Sequence, residues 1–177
     1  MPQKKGELQY LERWRRRARF GEQLAFHNVA ASYRILGRYR LSARWYERAA
    51  VKGDGNAMVD WGHCLQHGMG VRKDSAAAEL AYRAAIKSIY ISEYGREEAM
   101  YLLAVLLTQG RPRGWRREAA TLLRRASADG DYPQAENLIE QLKARSSVPI
   151  CTCRRWLRPA LRRLACPIHA KPRRTKT

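Results

Sequence analysis

A diverged internal repeat constrains this chain more than any other feature. Trp45-Tyr46-Glu47-Arg48-Ala49-Ala50-Val51-Lys52-Gly53 is followed by Ala57, and then by Gly68-Met69-Gly70-Val71-Arg72-Lys73-Asp74. A helix ended by glycine, a second helix rich in small residues, a tight glycine loop and an Asp able to start another helix form one unit of a helical array. Such arrays usually serve as binding surfaces and seldom as catalytic sites.

The unit recurs. Ala25, Val29, Ala30 and Tyr33 share one helical face, and Ala57, Trp61, Gly62 and Leu65 reproduce their spacing 32 residues later. Ala99, Leu103, Ala104 and Leu107 repeat it after a further 42, with the extra length in Ile89 to Gly95. The second helix of the first unit is expected over Leu41 to Lys52, with Trp45, Ala49 and Ala50 inward and Gly53 at its left-handed end. Gly68 and Gly70 suit a loop with positive φ, and Asp74 suits the N-cap of a helix over Ser75 to Ser88. Small residues at these places let neighbouring helices approach closely. Glu7 to Phe20 reads as a basic capping helix, with Leu8, Leu11, Trp14 and Ala18 as its apolar stripe, and Gln134 to Arg145 as a final helix. Few stretches alternate with period two, which argues against a large sheet. The expected fold is all-α: a short α/α solenoid of about three helical hairpins with capping helices. Its expected organisation is a basic N-terminal capping helix over 1–22, the solenoid over 23–145, and a basic, cysteine-containing tail with a short amphipathic helix over 146–177.

The pattern resembles the Sel-one-like repeat family, a relative of the tetratricopeptide repeats. Ala57, Gly62, Gly68, Gly70, Val71 and Asp74 fall on the family pattern, with Trp61 in place of its Leu and Leu65 in place of its Tyr. Ala78, Tyr82 and Ala85 continue it, Ala81 stands where a Trp is usual, and Trp45 to Ala57 follows it almost throughout. The outer two units lack the Gly-x-Gly-Val loop. The resemblance implies an α/α solenoid that works as an adaptor or scaffold, with no shared catalytic residues. Trp45, Ala49, Gly53, Ala57, Gly62, Gly68, Gly70 and Asp74 are then structural repeat positions.

The formal net charge is +19, from 35 basic and 16 acidic residues. Residues 1–22 contribute +4 and residues 146–177 contribute +9, so most of the excess lies at the ends. Such a balance favours anionic partners, whether nucleic acid, an acidic surface or an acidic protein. The bland alternative is codon bias, since 27 of the 35 basic residues are Arg and a GC-rich genome favours Arg codons. No apolar run is long enough to span a bilayer, the longest being Ala99 to Thr108. Arg13, Arg15, Arg16, Arg17 and Arg19 interrupt any secretory signal core, so a cytoplasmic address and reduced thiols are expected.

Three constellations stand apart from the repeat. Asp60, His63 and His67 lie within about 60° of one another around a helix, opposite Ala57, Trp61 and Leu65. They suit a partner surface, a transition metal, or merely an exposed polar face. Leu102, Val105 and Leu106 make the third unit's first helix apolar nearly all round, and such a helix is normally covered, by the tail helix or by a partner. Cys151, Cys153, Cys166 and His169 form a possible zinc set, C-x-C-x12-C-x2-H, whose first half is tight for one metal; a basic tail that happens to hold thiols is the alternative. Between them, Arg154 to Ala165 is basic and amphipathic, suited to packing on the solenoid or to an anionic surface. No phosphate loop, nucleophile elbow or separated carboxylate pair appears, so no enzyme is expected and no cofactor beyond the possible zinc. The sequence therefore points to a protein–protein adaptor. The competing reading is a nucleic-acid- or anionic-surface-associated protein that uses its Arg-rich ends.

Overall fold

Helices are the only regular secondary structure among the residues that the computed structural model describes, 2–128 and 133–146. They are α1 (Pro2–Arg19), α2 (Gln23–Ile35), α3 (Tyr39–Val51), α4 (Gly55–His67), α5 (Ser75–Lys87), α6 (Glu93–Gly110), α7 (Trp115–Ala126) and α8 (Pro133–Ser146). The chain divides into two units, 1–139 and 140–177. In the second, the end of α8 is described, where Lys143 Nζ donates to Glu140 Oε1 at 2.7 Å.

The helices start where side chains satisfy their free amides. Asp74 accepts from the amides of Ala76 and Ala77, as its position predicts. Asp54 does the same for α4 through Ala57 N, and Ser92 for α6 through Gly95 N. The Ser92 cap sets α6 earlier than the sequence suggests. Residues 93–95, expected to belong to the inserted loop, form its first turn. Helix α1 likewise begins at Pro2 and not at Glu7, since proline is well suited to a first helical position.

Consecutive helices pack against each other from α1 through α7, so α2/α3, α4/α5 and α6/α7 are the three expected hairpins. Helix α4 also touches α6 directly. The first helices α2, α4 and α6 therefore form one layer, with α3, α5 and α7 as the second helices, and α1 packs on α2. The small residues are where the helices meet. A Cβ at Gly62 would stand 2.7 Å from the Tyr82 ring, so the glycine is what lets that ring lie across α4. The Tyr82 hydroxyl then donates to buried Gln66 Oε1 at 2.7 Å. Gly68 and Gly70 have φ of 73° and 78°, and a Cβ at Gly70 would lie 2.2 Å from the Tyr39 carbonyl oxygen. The glycine loop is thus pressed onto the start of α3, which joins the first hairpin to the second.

One inward assignment changes. Tyr46, not Trp45, is the fully buried aromatic of α3, together with Ala43 and Ala49. Trp45 sits at the flank of that face, half-buried, with its ring 5.7 Å from that of Phe26. Ala49, Ala57, Ala78, Tyr82 and Ala85 are fully buried, whereas Ala50, Trp61 and Ala81 are half-covered. Gly53 takes a φ of 92° just after α3.

Candidate interaction surface

Five polar side chains gather where α2 and α4 lie side by side. His27 Nε2 and Asp60 Oδ2 are 2.8 Å apart, and Arg34 Nη1 reaches Asp60 Oδ1 at 3.6 Å. His63 lies one turn beyond Asp60, and its ring centroid is 4.4 Å from that of His67. The helix period explains the set. Arg34 falls seven residues after His27, two turns up one face of α2, as His67 falls seven residues after Asp60 on α4.

Electrostatics divides the histidines. Burial works against a charge on His27, but the hydrogen bond and charge of Asp60, with Asp54 beyond it, overcome this and raise its pKa above the ordinary 6.5. His63 goes the other way: burial lowers it, and the neighbouring His67 adds to that. Glu98 on α6 is raised by burial and by the negative charge of Asp60. Asp60 is therefore the electrostatic centre of this layer. It pairs with α2 and repels a carboxylate on α6.

The structure splits the sequence-predicted group. Asp60 turns to His27 and Arg34, while His63 and His67 face each other. Among the described residues no three His, Cys, Asp or Glu side chains converge on a metal-sized space. His27 and Arg34 are the members that sequence reasoning missed. The available signal was the repeat step itself, which puts α2 alongside α4 and so a basic and an imidazole side chain beside a lone Asp.

The two surfaces singled out on α4 and α6 are one strip in the repeat register. A step of 42 residues carries Asp60 to Leu102, His63 to Val105 and His67 to Gln109. Leu102 and Val105 are half-buried, as Asp60 and His63 are. Leu106 does not belong with them. It is 6 % exposed and corresponds to buried Cys64, so it faces the packed side of α6, not a partner. The burial of Cys64 also raises its thiol pKa to about 11, which keeps it protonated and unreactive. At one end of the strip the segment 88–92 is tied to the start of α4: Gly55 N donates to Tyr90 O at 2.8 Å and Ser92 Oγ to Asn56 Oδ1 at 2.8 Å. Beside this strap a shallow groove of about 400 Å3 is edged by Leu24, Ile89 and Tyr90, which are 67–80 % exposed.

Cys151, Cys153, Cys166, His169 and the helix expected over 154–165 lie outside the described residues. Among the described residues no helix is long and apolar enough to cross a membrane. No family model matches the chain, and no curated protein is significantly similar to it.

Proposed function

We propose that this protein is a non-catalytic adaptor or scaffold of the Sel-one-like repeat kind, and that a protein partner sits on the strip of first helices. The observation that carries this reading is the change of character along one register: Asp60 and His63 on α4 give way to half-covered Leu102 and Val105 on α6. An apolar end beside a polar, charge-paired one is the composition of a protein interface, with a core that excludes water and a rim that selects. Arg34 and the histidines supply the selective part, and the aliphatic pair supplies area. A cytoplasmic setting fits a chain whose one described cysteine is a buried free thiol.

Affinity purification from the native cell, with nuclease treatment and moderate salt, tests the proposal. Wild-type protein is expected to retain a stoichiometric partner, and the variant Leu102→Glu/Val105→Glu to lose it while keeping its helical circular dichroism. Equal retention by both proteins would remove the strip from the account.

A further inference from the structure

The two helix layers differ in the sign of their charge. Helices α2, α4 and α6 together hold two basic and four acidic residues, a net of −2, and all three histidines of the layer. The second helices α3, α5 and α7 hold nine basic and three acidic residues, a net of +6, and α1 adds seven basic and two acidic. The partner strip and the cationic surface are thus on different helices of the same hairpins.

The cationic side is organised most clearly on α3. Arg40, Arg44 and Arg48 are exposed and four residues apart, so they follow one another about 6 Å apart along the helix, on the face opposite buried Ser42, Tyr46 and Ala49. None of the three pairs with a described carboxylate, whereas Arg17 and Arg83 do, with Glu22 and with Glu79 and Glu118. One of the three is backed by an aromatic ring, as is an arginine of α1. Arg48 stands over the Trp45 ring at 5.3 Å, and on α1 Arg13 stands over Tyr10 and Trp14 at 5.5 and 5.8 Å. Trp14 and Trp45 both cover the same buried cluster of Leu11, Val29 and Tyr33, which brings the α1 and α3 arrays to one part of the molecule. Rings that hold guanidinium groups in place reduce the ordering that binding would otherwise require.

We infer that the α1/α3 face binds single-stranded nucleic acid, with Arg40, Arg44 and Arg48 on successive phosphates and exposed Tyr10 available to stack on a base. A row of unpaired arginines with aromatic neighbours is the combination that tracks a strand without reading its sequence. An anionic membrane fits less well. Most of the apolar stripe of α1 is already spent on α2, with Leu11 and Ala18 buried and Leu8 partly covered. This inference is independent of the protein partner, which uses the other layer.

Fluorescence anisotropy of the full chain with a labelled 20-residue oligothymidylate tests it, titrated at several salt concentrations. Each single-strand phosphate contact contributes about 0.7 to the slope of log K against log salt, so R40Q/R44Q/R48Q is expected to lower that slope by about 2. The basic residues of 147–177 are present in both proteins, so the difference reads α3 alone. All three positions are solvent-exposed, and an unchanged melting temperature verifies the fold. An abasic 20-mer is expected to bind at least tenfold more weakly than the oligothymidylate. An unchanged slope in the triple variant would overturn the inference. So would equal binding of the abasic strand, or tighter binding of polyglutamate or phosphatidylserine vesicles, which would mark a surface that responds to charge alone.

Discussion

Tyr82 and His27 show how single polar groups are used inside an apolar repeat. Tyr82 is fully buried, and its hydroxyl has one partner, Gln66, itself buried. Tyr82→Phe leaves the Gln66 oxygen without that donor, and the expected cost is about 1–3 kcal/mol in a urea unfolding series with an unchanged m-value. His27 makes the fold respond to pH. Its folded pKa lies above the unfolded 6.5, so its pairing with Asp60 contributes fully below pH 6.5 and is lost as pH rises through the folded value. His63 has the opposite sign: its folded pKa is depressed, so it favours the fold when neutral and withdraws that support as pH falls below 6.5. In His27→Gln the loss of stability on the alkaline side of pH 6.5 is expected to disappear while the acid-side loss persists. Melting temperatures of both proteins from pH 5 to 8.5 decide this, and parallel curves would show that the Asp60 pair carries no linkage.

At the scale of elements, legibility followed the chemistry of each boundary. The middle hairpin was readable because its signals are steric and local: Gly62 admits Tyr82, Gly70 admits the Tyr39 carbonyl, and Asp74 caps α5. The start of α6 was less readable because its cap, Ser92, is held by a residue 36 positions away, Asn56, and distance in sequence hides such a partner. Trp45 was misplaced for a related reason. It and Tyr46 are adjacent large aromatics, and a helix turns by 100° between them, so the choice of which one enters the core is made by the packing of α2 and α4. Ser92→Ala removes the cap of α6 and the hydroxyl's bond to Asn56 on α4, leaving the backbone bonds of Ser92 N and Tyr90 O to α4 in place. It is expected to cost about 1 kcal/mol, near the middle of the range for caps, and to speed amide exchange over 88–96 relative to α4 and α5. Exchange unchanged in that segment would mean that the strap stands without its serine.

Across the molecule the hairpins do two things at once. They bury a core of alanines, leucines and a few tyrosines between layers, and they sort polar side chains by layer. The polar trio on α4 and the aliphatic trio on α6 looked like separate features in the sequence. The repeat register joins Asp60 and His63 to Leu102 and Val105 and assigns Leu106 to the core. The functional claim follows from that strip. A photo-crosslinking amino acid placed at position 105, on the strip, and separately at position 80, where exposed Leu80 lies on the second-helix layer, tests it in the native cell. The account predicts a discrete protein adduct from position 105 that survives nuclease treatment, and none from position 80. The same protein adduct from position 80 alone would place the partner on the other layer and contradict the account.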